Sequence, residues 1–120
     1  MLIDEIDIIN AYKKFKALNS DSLFAITNYD HSPYRSLKII GSNISPKNLS
    51  LFKKRTQDLK ELYHDSGTFS IYKTSFLRKK KNLFSKKSSY YKLSKFKAVD
   101  IDTIEDFKLA EYIKKSNKSY

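Results

Sequence analysis

From Asp4 to Leu18 the apolar residues Ile8, Ala11, Tyr12, Phe15 and Leu18 recur at spacings of three and four, which predicts an amphipathic helix ended by Asn19-Ser20-Asp21. Ser22-Leu23-Phe24-Ala25-Ile26-Thr27 follows as an apolar, β-favouring run suited to a buried strand, closed by the turn-rich stretch from Asn28 to Pro33. Ser36 to Ile40 predicts a second strand ended by Gly41-Ser42-Asn43, and Ser45 to Lys54 reads as loop or a short helical turn. The polar segment from Arg55 onward enters a strand through Gly67, over its last five residues up to Tyr72. Phe96 through Val99 predicts a further short strand. A last helix is expected from Thr103 to about Lys115, with Thr103-x-x-Asp106 a relaxed capping box. Its apolar positions Ile104, Phe107, Ala110 and Ile113 are widened by Leu109 and Tyr112, while Lys108, Glu111 and Lys114 face water. Helices and strands in this alternation predict an α/β fold, one domain over residues 1–120, with a sheet too short to be complete and with exposed edges.

Composition narrows the chemistry. The absence of cysteine excludes disulfides, thiol nucleophiles and zinc-thiolate sites, and His31 and His64 alone cannot build a histidine metal site. The first residues carry Asp4, Glu5 and Asp7 where a signal peptide needs a basic region, and no stretch approaches the ~20 apolar residues of a membrane span, so a soluble cytoplasmic protein without a membrane partner is expected. The net charge of +11 raises nucleic acid as a partner. Its make-up argues against one, because apart from Arg35, Arg55 and Arg78 the positive charge is lysine, which lacks the bidentate fork that reads phosphate and guanine. The densest basic stretch, Arg78 to Lys87 followed by Tyr90-Tyr91, reads either as a solvated surface segment or as a small basic module that binds polyanions without catalysis.

Asp100 and Asp102 are the strongest candidate chemistry. On a strand, residues two apart share a face, so both carboxylates would point the same way while Ile101 turns into the core. Mg²⁺ takes one or two such carboxylates and leaves its other positions to water and phosphate oxygens. Taken alone, the pair is better explained as residues that cap and solubilise a helix start. The cluster from Arg55 to Gly67 offers Arg55 for a carboxylate or phosphate, Gln57 and Asp58 for hydroxyl groups, and a glycine that lets a ligand approach the backbone. A surface turn explains the same composition.

Three stretches in order resemble motifs of the cytidylyltransferases that activate nonulosonic acids, the CMP-sialic acid synthetases and their pseudaminic acid relatives. They are Arg55-Thr56-Gln57-Asp58-Leu59, then Tyr63-His64-Asp65-Ser66-Gly67-Thr68-Phe69, then Val99-Asp100-Ile101-Asp102-Thr103 with Glu105-Asp106-Phe107 and Ala110-Glu111. Ser20 to Thr27 is similar to the family's strand before the sugar-site loop, and Pro33 to Leu37 to the stretch after it. Asp65 leans toward the pseudaminic branch, whereas Thr68 and Ser70 depart from that branch's usual residues. The resemblance implies a Rossmann-like nucleotidyltransferase fold, a homodimer, and transfer of CMP from CTP to a nonulosonic acid with release of pyrophosphate. It implies that Asp100 and Asp102 bind Mg²⁺, that Arg55 and Gln57 lie at the sugar site, and that Gly67 and Phe69 shape its wall. The family's basic, glycine-containing triphosphate loop has no counterpart in a chain with two glycines. The expected object is therefore the C-terminal half of such an enzyme, its CTP-binding half absent or supplied by a separate polypeptide.

Overall fold

A computed structural model describes residues 2–79 and 82–117. The chain divides into two compact units, residues 1–27 with 65–120, and residues 28–64.

In the first unit, helix α1 (Glu5–Ala17) begins with a reciprocal capping box. Asp4 accepts from the Asp7 amide at 3.0 Å and Asp7 from the Asp4 amide at 3.2 Å, which satisfies two amides that a helix start leaves without partners. Ala11 and Phe15 bury one face of α1 against Leu23 of strand β1 (Ser22–Asn28). That strand is the middle of a three-stranded sheet, flanked by β4 (Tyr63–Tyr72) and β5 (Ser88–Lys92). β5 runs parallel to β1, with Ser22 opposite Ser88 and Ile26 opposite Lys92. Burial is continuous from Ser22 to Ala25 because both faces of β1 are covered, Leu23 by Ala11 and Phe15 of α1 and Phe24, on the opposite face, by Phe84. Phe69, Ile71 and Tyr91 extend the core, and Phe24 stacks on Phe84 with ring centroids 4.4 Å apart.

The expected strand from Phe96 to Val99 does not form. Lys97 and Ala98 donate their amides back to Ser94, at 3.0 and 3.2 Å, making a turn, and the parallel partner of β1 is the earlier run Ser88–Lys92. Its alternating tyrosines suit the place, Tyr91 against the core and Tyr90 exposed. Ile101 is correspondingly 42% exposed instead of buried. β4 starts at Tyr63, earlier than expected, so Gly67 sits inside the strand and not at its entrance. Helix α3 (Thr74–Lys79) buries Phe76 and exposes Arg78 and Lys79, the start of the basic stretch. Lys86 and Lys87 are also exposed, while Lys80 and Lys81 lie outside the described residues.

Helix α4 (Ile104–Ser116) has the expected limits and the expected box between Thr103 and Asp106. Its buried face is narrower than the predicted stripe: Ala110 and Ile113 are buried, Ile104 is 71% exposed and Phe107 is exposed too. A strict three-residue spacing turns by about 300° per step, so the row drifts and its two ends face opposite ways.

The second unit holds an antiparallel hairpin of β2 (Leu37–Ile40) and β3 (Asn43–Pro46), with Leu37 opposite Pro46 and Ile40 opposite Asn43. Gly41 at φ 60° makes its turn. β3 departs from the expected loop or helical turn at Ser45 and Pro46; Pro46, which has no amide to donate, ends the strand. A short helix α2 (Leu49–Phe52) follows, capped by Asn48, then a 3₁₀ turn at Thr56–Asp58. Arg35 closes this unit, donating to the Phe52 carbonyl at 3.0 Å with its guanidinium 4.6 Å from the Phe52 ring centroid. No helix among the described residues is long and apolar enough to cross a membrane.

Candidate functional site

The connection from β5 to α4 carries the paired aspartates and is anchored at four points. Leu93 donates its amide to the Ile26 carbonyl at 2.8 Å and accepts from the Thr27 hydroxyl at 3.1 Å. The Lys97 ammonium lies 2.9 Å from Asp4 and 2.8 Å from Asp7. These bonds hold the Asp4 carboxyl below its ordinary value, the Lys97 bond first and the Asp7 amide second, and raise the Lys97 ammonium above its own. Asp100 then lies against the β4 backbone: a Cβ added at Gly67 would stand 3.1 Å from Asp100 Oδ2. At the far end Asp106 Oδ2 accepts from the Thr103 hydroxyl at 2.7 Å, the Thr103 amide at 2.9 Å and the Asp102 amide at 3.2 Å. The Thr103 hydroxyl, then the two amides, hold the Asp106 carboxyl below the usual range.

Gly67 adopts φ 67°, a conformation open to glycine and costly for a residue with a Cβ. Its amide donates to Asp65 Oδ1 at 3.1 Å, and the neighbouring Ser66 hydroxyl donates to the Ala25 carbonyl at 2.8 Å. The turn within β4 is thus held from both sides, and it leaves room for the Asp100 carboxylate.

The helix cap is made by Thr103 and Asp106, so capping does not account for Asp100 and Asp102, both of which are exposed. The strand geometry expected to align the two carboxylates is absent; the Asp100 carboxylate lies beside Gly67, and the Asp102 backbone is held by the hydrogen bond its amide donates to the Asp106 carboxylate. Two carboxylates on one loop fit the donor set of Mg²⁺, which completes its shell with water and phosphate oxygens. Among the described residues no three carboxylates or imidazoles gather as a closed cage.

In the second unit a cleft of about 300 Å³ is lined by Asn28, Tyr29, Ser32, Gln57, Lys60 and Glu61, among others. Asn28 donates to the Glu61 carboxylate, and the Tyr29 ring lies 4.9 Å from the His64 ring. The arrangement offers amide, hydroxyl, ammonium and carboxylate groups within one concavity, suited to a polyhydroxylated ligand.

Over 108 residues, 89% of its length, the chain is 32% identical to a pseudaminic acid cytidylyltransferase of Campylobacter jejuni. Over 112 residues it is also 32% identical to a Helicobacter pylori protein named pseudaminic acid cytidylyltransferase and UDP-2,4-diacetamido-2,4,6-trideoxy-beta-L-altropyranose hydrolase. By sequence, the chain is similar over about nine-tenths of its length to proteins named pseudaminic acid cytidylyltransferase. It spans about half the length of the Campylobacter jejuni relative, 47%, and 21% of the Helicobacter pylori one. A Campylobacter coli protein named post-translational flagellin modification protein B is 26% identical over 107 residues. No family model matches.

Of the residues singled out on resemblance to the cytidylyltransferases, Gly67 and Asp100 are in contact, and Gln57 lines the cleft of the second unit. Arg55 is exposed just before the 3₁₀ turn and is not part of that cleft's lining. Phe69 is half-buried on the core cluster with its ring 6.3 Å from Tyr91, so its side chain supports β4 from behind. Sequence reasoning missed Lys97, Asn28 and Glu61 as members of these arrangements. Asp65-Ser66-Gly67 did carry a signal, since an aspartate two residues before a glycine favours an Asx turn. The partners of Lys97 and Asn28 lie far away in the chain, and no local signal marks them.

Proposed function

We propose that this chain supplies the metal-binding carboxylates and part of the sugar site of a pseudaminic acid cytidylyltransferase. The reaction moves CMP from CTP to a nonulosonic acid of the pseudaminic type and releases pyrophosphate, the anomeric hydroxyl attacking the α-phosphorus. On this reading the two units belong to a Rossmann-like nucleotidyltransferase fold. Its triphosphate loop lies in the part of the relatives that the chain does not span.

The observation that carries the proposal is the Asp100 carboxylate beside Gly67, where an added Cβ would stand 3.1 Å from Oδ2, which brings together two of the stretches that resemble the family. Asp100 and Asp102 would hold Mg²⁺, which when bound neutralises charge on the phosphate oxygens as pyrophosphate leaves. Gly67 keeps the carboxylate close to β4, and the Thr103–Asp106 cap fixes the backbone beneath Asp102. Gln57 is assigned to the sugar hydroxyls and Arg55 to the sugar carboxylate, where a guanidinium makes a paired, charge-assisted contact. Gly67 and Phe69 form and back the wall on the β4 side.

The test is complementation. The chain is co-expressed with the part of the Campylobacter jejuni relative outside the matched region, and pyrophosphate release is followed with CTP, Mg²⁺ and pseudaminic acid. Turnover by the pair, none by the chain alone, and a loss of at least about 100-fold in Asp102→Ala are the expected results. An unchanged rate in Asp102→Ala would sink the metal assignment.

A further inference from the structure

We propose that Lys97 is the positioning residue for the metal-binding loop, acting through Asp4 and Asp7; this rests on the metal reading above. The helix start does not require Lys97, because Asp4 and Asp7 already complete a capping box with each other's amides. Lys97 nonetheless reaches both carboxylates, at 2.9 and 2.8 Å, and Asp7 also accepts from the Tyr91 hydroxyl at 3.3 Å. Asp7 is buried, 6% exposed, and so makes a rigid post on α1. Lys97 stands three residues before Asp100, a span of at most about 11 Å of chain. Between the anchors at Leu93 and Thr103, the ammonium clamp is a side-chain tie at the point where residues 98–102 leave the turn. Lys97 bonds Asp4 and Asp7 and not Asp100 or Asp102, so it acts on the two carboxylates through the backbone of residues 98–102.

The test uses the ¹⁵N-labelled chain titrated with Mn²⁺ in place of Mg²⁺, read by paramagnetic broadening of the Gly67, Asp100 and Asp102 amides. Lys97→Met is expected to weaken Mn²⁺ binding about tenfold, with Lys97→Arg restoring it. Phe76→Leu, a packing change elsewhere in the same unit, serves as the stability control and should bind as the unmodified chain does. Should Lys97→Met fail to fold, Asp4→Asn removes one arm of the clamp and should give a smaller loss of the same kind. Unaltered binding in the folded Lys97 or Asp4 variant, or an equal loss in Phe76→Leu, overturns the positioning role. Absence of Mn²⁺ binding by the unmodified chain overturns the metal reading itself, and this proposal with it.

Discussion

Replacing Gly67 by alanine tests the geometry at the centre of the site. At φ 67° a Cβ costs about 1–2 kcal/mol, and the lost freedom of the unfolded chain returns about 0.4–1 kcal/mol. The new methyl would also stand 3.1 Å from Asp100 Oδ2, so the carboxylate must move outward by a few tenths of an ångström. The carboxylate is exposed and can yield, so backbone strain outweighs the steric contact and leaves a net loss of about 1 kcal/mol, or about 4 °C in Tm. Two companion variants separate strain from contact. Gly67→Asn tolerates positive φ but keeps the Cβ contact, whereas Gly67→Ala with Asp100→Ala keeps the strain and removes the contact. Urea unfolding of the three should place Gly67→Asn nearest the unmodified chain. If Gly67→Ala proves as stable as the unmodified chain or more so, residue 67 does not hold a left-handed conformation.

Thr103→Ala removes the α4 cap and should cost about 1 kcal/mol in urea unfolding; no change would mean that water serves the helix start equally well. Leu23→Ala, at a fully buried position of β1, should cost about 3 kcal/mol, and a loss below about 1 would show that the core collapses around it. The pH dependence follows from Asp4, Asp106 and Lys97. Asp4 and Asp106 sit below the ordinary 3.8, so their stabilisation is complete above about pH 4 and is lost as pH falls through the folded values. Lys97 sits above the ordinary 10.5, so its contribution is complete below that value and lost as pH rises through the folded one. The urea midpoint should therefore fall at both extremes, and Asp4→Asn should flatten the acid limb; an unaltered acid limb would refute the pairing. Lys97→Met should cost about 1–2 kcal/mol, less than a fully buried pair would, because the Lys97 side chain is 35% exposed.

By itself the amino-acid sequence determined the elements whose signals are local. Periodicity placed α1, burial of a continuous apolar run placed β1, and Thr103-x-x-Asp106 placed the start of α4 at the residue observed. The motifs that relate the chain to the pseudaminic acid cytidylyltransferases are also contiguous stretches, readable without a structure. Tertiary structure alone decided which run pairs with β1. Ser88–Lys92 and Phe96–Val99 both have β-forming residues, and the choice rests on pairing with a strand some sixty residues away and on the turn that Lys97 and Ala98 make onto Ser94. It also decided that Asp7 is buried and paired with a half-exposed Lys97, and that Asp100 lies beside Gly67. Such contacts leave no periodic trace, because they depend on the packing of segments that are remote in the chain. The candidate site is legible in the sequence only as a set of separate residues, and only the folded chain brings Gly67 and Asp100 together.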